Sequence, residues 1–278
     1  MAFRVIKGTF HIAGYAPDGD SVRFKAANPA WWSLLDGPKV GLNAKQHAQL
    51  RIEAIDTLET HFETFHQPLD LADQATEFLL RQLGITEVQW NATRTKVTHA
   101  RDGTPGFIIT RTTERNRRPV AFVYAGRTER ADGSEVFLDR RLIRRSINYR
   151  TLWAGMAYPT YYQGLFYDLR DTLTSAVLKA RAERLGVWRR DRTTRGFEVD
   201  GVDGLMNVVV LPKFFRRLVV FLAGGGALAD FKSWLAAAPD PVLLLGKCHF
   251  TNLDTFVEVK DRRVHLTVPA EQLVFDPT

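Results

Sequence analysis

Five residues in this sequence have the types that phosphodiester hydrolysis needs: Asp20, Arg51, Asp56, Glu59 and Arg118. Cleaving that bond requires charge neutralisation on the phosphate, an activated water and a protonated leaving oxygen. A hard divalent cation takes oxygen ligands, so its site calls for carboxylates rather than His or Cys. Asp20 comes after a tight turn at Asp18-Gly19, and Asp56 ends a strand. In a closed barrel such positions can converge at one rim. Arg51 and Arg118 would then bracket the phosphate with donors where charge develops. Glu59, just past the strand, is placed to orient or deprotonate a water. Each motif also has a purely structural reading, since Asp-Gly-Asp is a common turn and a strand-ending Asp-Thr often only caps the next segment.

Composition agrees with a polyanionic partner without requiring one. The chain has 278 residues, 38 Lys and Arg against 31 Asp and Glu, a net charge of +7 and 45% hydrophobic residues. That length supports a sizeable core in one large domain or two smaller ones, and the basic excess favours phosphate through counterion release. The charge is concentrated: residues 101–150 hold twelve Arg, no Lys and six Asp plus Glu. Arg111, Arg115, Arg117 and Arg118 dominate this window, together with the run Arg140-Arg141-Leu142-Ile143-Arg144-Arg145. The guanidinium fork suits phosphate better than an ammonium point charge, and Arg115 and Arg117 are candidate substrate contacts. The run from Arg140 also reads as a solvated helix face.

The elements that must position these residues are mostly strands. Phe3, Val5 and Thr9–Ile12 suggest one strand, Ser21–Lys25 alternates as a hairpin strand, and Gln49–Ile55 alternates with Leu50, Ile52 and Ala54 on one face. Residues 27–46 read as an excursion in which Trp31-Trp32-Ser33-Leu34-Leu35 forms a small hydrophobic plug or a base-stacking platform. An apolar stripe from Asp70 to Leu83 predicts a helix stopped by Gly84, with strands at Glu87–Trp90, Phe107–Arg111 and Val120–Tyr124. A second helix carries Leu169, Leu173, Ala176, Val177 and Ala180 toward Gly186. Turn-rich strands closing round a helix fit a small OB-type barrel. Thr193–Gly196 and Val202–Gly204 read as linker. Pro212 then starts a helix ended by Gly224-Gly225-Gly226, with a further helix at Leu228–Ala237 and strands at Val242–Leu245, Thr255–Val259 and Val264–Val268. The predicted class is α+β, mainly β. Its catalytic domain is 1–192, interrupted at about 27–46, and a small α+β appendage occupies 193–278.

Four motifs in one order carry a resemblance. They are Asp18-Gly19-Asp20-Ser21-Val22, Arg51-Ile52-Glu53-Ala54-Ile55-Asp56-Thr57-Leu58-Glu59-Thr60, Arg117-Arg118-Pro119-Val120-Ala121-Phe122-Val123-Tyr124, and Ala182-Glu183-Arg184-Leu185-Gly186-Val187-Trp188. Together they resemble the staphylococcal nuclease (thermonuclease) family over roughly residues 8–191. The resemblance implies a five-stranded OB-type barrel with three helices, Ca²⁺ dependence, and cleavage of DNA or RNA leaving a 3′-phosphate. It also implies Asp20, Asp56 and the Thr57 carbonyl as metal ligands, Arg51 and Arg118 as the catalytic arginines, and Glu59 as the general base. Tyr161 is similar to a tyrosine near the nucleotide's phosphate.

Departures bear on the substrate. Leu58 stands where the family has proline, Arg117 and Pro119 stand where glycine is usual, and Asn116 replaces a nucleotide-stacking tyrosine. His61-Phe62-Glu63-Thr64-Phe65-His66-Gln67 replaces a basic flexible loop. Two classes of function are compatible with these residues: a metal-dependent nuclease, or an OB-type module that binds nucleic acid or protein without cutting. His61 and His66 read as surface or groove residues before zinc ligands, and Cys248 as a packed thiol. The start of the chain has no secretory apolar run and no segment is long enough to span a bilayer. The expectation is a cytoplasmic protein with no membrane partner. No feature fixes the oligomeric state, and residues 193–278 are the candidates for self- or partner association.

Overall fold

The alternation at Ser21–Lys25 and Gln49–Ile52 becomes a closed sheet in the computed structural model, which describes residues 2–276. Residue 1 and residues 277–278, the outer ends of the two expected domains, lie outside the described residues. Five strands close the barrel, β1 (Phe3–His11), β2 (Ser21–Ala26), β3 (Ala48–Ile52), β4 (Thr104–Thr113) and β5 (Pro119–Ala125), and a short sixth, Glu135–Val136, pairs with the start of β1. The five pair in the order β1-β2-β3-β5-β4, and β4 returns to β1 to close the ring. Neighbours are antiparallel except β3 and β5, which run parallel with Arg51 opposite Val120. This is an OB-type barrel. Ile6, Phe10, Phe24, Leu50, Ile52, Ile108 and Val123 share its inner face and are fully buried, as a period of two on a curved sheet requires. Gly106 is needed where the wall is tightest, because a Cβ there would lie 2.2 Å from the Phe10 ring.

The strand expected to run to Ile55 breaks earlier. Ala54 takes a left-handed φ of 68°, and Ile55–Asp56 pairs instead with Tyr158–Pro159. The excursion at 27–46 folds back on the barrel. Asp36 N donates to Arg111 O and Thr113 N to Asp36 O, at the register shift between Thr110 and Thr112. Of the expected plug, Trp32 is buried with its ring edge-on to Phe24, while Leu34 is exposed. The strand Val97–Arg101, a hairpin partner for Thr86–Trp90, is one that the sequence pattern does not announce.

By packing, the chain divides into two compact units: residues 1–53 with 75–151, and residues 54–74 with 152–278. The first contains the barrel. The second joins residues 193–276 to segments expected in the catalytic domain, including the helix α2 (Tyr167–Ala182), and the helix α1 (Leu69–Gln82) contributes residues to both units. Thr193 and Phe197 are buried and Phe197–Glu198 pairs with Arg263–Val264, so the segment read as linker is part of a core. The helix α3 (Pro212–Ala223) buries Phe214, Phe215, Leu218 and Val219 completely. A four-stranded sheet (161–162, 273–275, 241–244, 249–252) and a three-stranded one (197–198, 263–266, 257–260) complete the unit. No helix among the described residues is long and apolar enough to cross a membrane.

Candidate functional site

In the first unit, strand register gathers three of the five residues. Ser21 pairs with Arg51, and Ile52 N donates to Asp20 O at 3.0 Å, so Asp20 sits beside the end of β3. Arg118 immediately precedes β5, whose Val120 lies opposite Arg51. Asp20 is held in its turn by its own N–H, which donates to Asp18 Oδ1 at 3.3 Å. Arg118 donates from Nε and from its backbone N–H to Glu114 Oε1, at 3.0 and 3.1 Å. Burial pushes the Glu114 carboxyl up, but Arg118 and the backbone N–H groups of Asn116 and Arg118 outweigh it and hold its pKa below the usual carboxylate range.

An open cavity of about 310 Å³ lies beside this rim, lined by Arg23, Gly41, Gln49, Asn116, Arg117 and Arg118. The excursion supplies one wall: Gly41 N donates to Arg117 O at 2.8 Å and Arg117 Nε to Lys39 O at 3.0 Å. Arg117 adopts a φ of 63°, the left-handed conformation that explains why glycine suits this position. Arg115 is exposed and is not among the lining residues. Arg23 and Gln49 were not singled out from sequence. The available signal was their place on alternating strands whose opposite faces are core.

The second unit holds the other two. Asp56 is 6% exposed and paired through its backbone with Tyr158, and Thr57 is buried beside it. Glu59 is positioned by Gln67, which is fully buried: Glu59 N donates to Gln67 Oε1 at 3.3 Å and Gln67 N to Glu59 O at 2.9 Å. Gln67 Nε2 in turn donates to Val210 O at 2.9 Å. Arg216 of α3 then grips both acids. Its guanidinium donates to Asp56 Oδ1 at 3.2 Å and Oδ2 at 3.0 Å, and to Glu59 Oε1. Burial would lower the Arg216 pKa; Asp56 and Glu59 reverse this and raise it above the usual arginine range. The sequence did contain a signal, an Arg216-Arg217 pair inside the apolar run Phe214-Phe215…Leu218-Val219.

This arrangement decides how the carboxylates suit a metal. Both Asp56 oxygens and one Glu59 oxygen already face a cation, and no group of three or more His, Cys, Asp or Glu among the described residues is placed to hold a metal ion. As arranged, Asp56 and Glu59 fit a guanidinium and not a divalent ion, which would have to displace Arg216.

Two further expectations change, those for Tyr161 and Cys248. Tyr161 is fully buried with its hydroxyl on Thr174 Oγ1 at 2.9 Å, because the strand Leu273–Phe275 pairs over it; it presents no surface to a nucleotide. Cys248 is exposed rather than packed, at a φ of 47° in the turn that joins Pro241–Leu244 to His249–Asn252. His61 is exposed and bonded to Thr60, while His66 Nδ1 donates to Gln67 O at 2.8 Å. The chain matches no protein-family model and no curated protein sequence.

Proposed function

We propose that this chain is a nuclease that hydrolyses phosphodiester bonds of DNA or RNA. The supporting observation is the register of β2, β3 and β5, which brings Asp20, Arg51 and Arg118 together beside a cavity with three arginines in its lining. In this reading Arg51 and Arg118 supply donors to the phosphate and to the charge that grows on it in the transition state. Glu59 is, by residue type, the group that the resemblance assigns to accept a proton from water. A carboxylate bound to a guanidinium is a weak base, so Arg216 must release Glu59 before it acts. The Ca²⁺ dependence that the resemblance implies is part of what is tested, and no step is assigned to the ion.

The test is incubation of purified protein with plasmid, single-stranded DNA and RNA, in Ca²⁺, Mn²⁺ or Mg²⁺ and in chelator. Cleavage is expected, and Arg118→Ala should slow it by roughly 10²- to 10³-fold if it removes transition-state stabilisation. No cleavage under any of these conditions would sink the reading. The second reading, an OB-type barrel that binds nucleic acid without cutting, draws on the ion pairs of Arg216, which neutralise the two acids a nuclease would use. Salt-sensitive binding with no hydrolysis would favour it.

A further inference from the structure

A second basic cavity lies wholly within the second unit and shares no residue with the nuclease site. It has a volume of about 380 Å³, and Arg184, Arg189, Arg190, Arg192 and Arg195 line it together with Asp191. All five arginines are exposed. Of these five, only Arg190 forms an ion pair with another of the described residues, Asp70 at 2.8 Å. Asp191 offsets one of these charges through space but forms no ion pair with the five arginines: its Oδ1 accepts from Tyr158 Oη at 2.7 Å and from Thr193 N and Oγ1 at 3.0 and 2.6 Å.

The backbone under these side chains is fixed. Val187 N donates to Gly155 O at 2.9 Å, and Gly186 packs so closely on Gly155 that a Cβ would lie 2.1 Å from its carbonyl oxygen. Arg192 N donates to Val209 O and Leu266 N to Thr193 O, each at 2.8 Å, and Leu211 N donates to the Thr193 hydroxyl at 3.0 Å. Four arginines without an ion pair, beside the paired Arg190, are therefore displayed from a rigid ledge, at a cost in mutual repulsion that an anionic partner removes. Exposed guanidiniums on an open cavity, with no buried polar anchor, suit a run of phosphates more than one enclosed phosphate. They can bind each phosphate in bidentate fashion without reading bases.

We infer that this arginine ledge is a binding site for the phosphodiester backbone of a nucleic acid, built from residues other than those of the barrel rim. The inference goes beyond the nuclease reading and stands whether or not the chain cuts. Its test is fluorescence anisotropy of the full chain with labelled single- and double-stranded oligonucleotides, in chelator, across a salt series. Each arginine on a phosphate contributes about 0.7–0.9 to the slope of log affinity against log salt. The Arg184→Ala/Arg192→Ala/Arg195→Ala variant should therefore lose roughly two units of slope and bind ~10-fold or more weakly at low salt. Circular dichroism and thermal unfolding matching wild type would confirm that the loss is local. Comparing the two oligonucleotides shows which backbone the ledge prefers. Unchanged affinity and slope in the triple variant would overturn the inference. So would polyglutamate competing as well as polyphosphate, which would point to an acidic protein instead. Because nothing is hydrolysed in this experiment, a missing nuclease activity leaves its outcome intact.

Discussion

Arg216 is the residue on which the chemistry of the second unit turns. It places a fixed positive charge against Asp56, which is 6% exposed, and against Glu59. Breaking a buried ion pair from one side leaves the other charge uncompensated. The Arg216 side chain keeps 29% exposure, so water screens part of the interaction. Arg216→Gln should accordingly destabilise the chain by about 3 kcal/mol, at the low end for buried pairs, as read by denaturant unfolding. Adding Asp56→Asn and Glu59→Gln should recover much of the loss, since no stranded charge remains. The same variant reports on metal. Calcium should raise the melting temperature of Arg216→Gln, where the guanidinium no longer faces the two carboxylates, more than that of wild type. An equal calcium shift in both proteins would mean that the guanidinium does not hold the cation's place.

At the scale of elements, the segment 27–46 is an extra wall whose far end is pinned by a small polar cluster. Asn43 Oδ1 accepts from Lys45 N and His47 N, each at 3.0 Å, and Asn43 Nδ2 donates to Tyr15 Oη at 2.7 Å. The Tyr15 hydroxyl lies 3.0 Å from His47 Nδ1 and donates to it when the imidazole is neutral with Nδ1 unprotonated. His47 also stacks on His11, ring centroids 4.1 Å apart. Burial first, then His11, Lys25 and Lys45, lower its pKa from 6.5 to about 4, with Asp102 opposing. Between those values the unfolded chain binds the proton and the folded chain does not. The associated stability is therefore complete above pH 6.5 and lost as pH falls toward about 4. The melting temperature should drop over that window, and His47→Gln should flatten the drop; a variant with the wild-type slope would remove His47 as its source. Elements with a local signature were legible in the sequence. Pro212 and Gly224 bound α3, Gly84 stops α1, and the alternation of β2 and β3 puts Arg51 next to Asp20. What was not legible depends on partners far along the chain. Nothing near Ala54 signals the break that pairs Asp56 with Tyr158, and nothing near Tyr161 signals the strand Leu273–Phe275 that covers it.

Across the whole molecule, charge and packing obey different divisions of the chain. Arginines crowd residues 101–150 in the sequence, yet a second concentration at 184–195 lines its own cavity, and this one is displayed by the unit that contains the C-terminal segments. That unit cannot be assembled from residues before 193 alone. Arg181 of α2 forms a bidentate pair with the buried Glu271, Gln67 donates to Val210, Arg216 holds Asp56 and Glu59, and Tyr161–Tyr162 pairs with Val274–Phe275. Removing residues 193–278 deletes every one of those partners, leaving Glu59 without the anchored Gln67 and α2 without its cover. The barrel differs, because its five strands close using residues 3–125 only. A chain ending at Arg192 should therefore lose amide protection in Leu169–Ala180 and around Asp56 while the strands from Phe3 to Ala125 stay protected, as read by hydrogen exchange. Thermal unfolding should show a smaller cooperative transition, because the second unit no longer contributes its enthalpy. If α2 and the barrel strands kept equal, undiminished protection in the shortened chain, residues 193–278 would be an accessory after all and the packing of Arg216 dispensable to the fold.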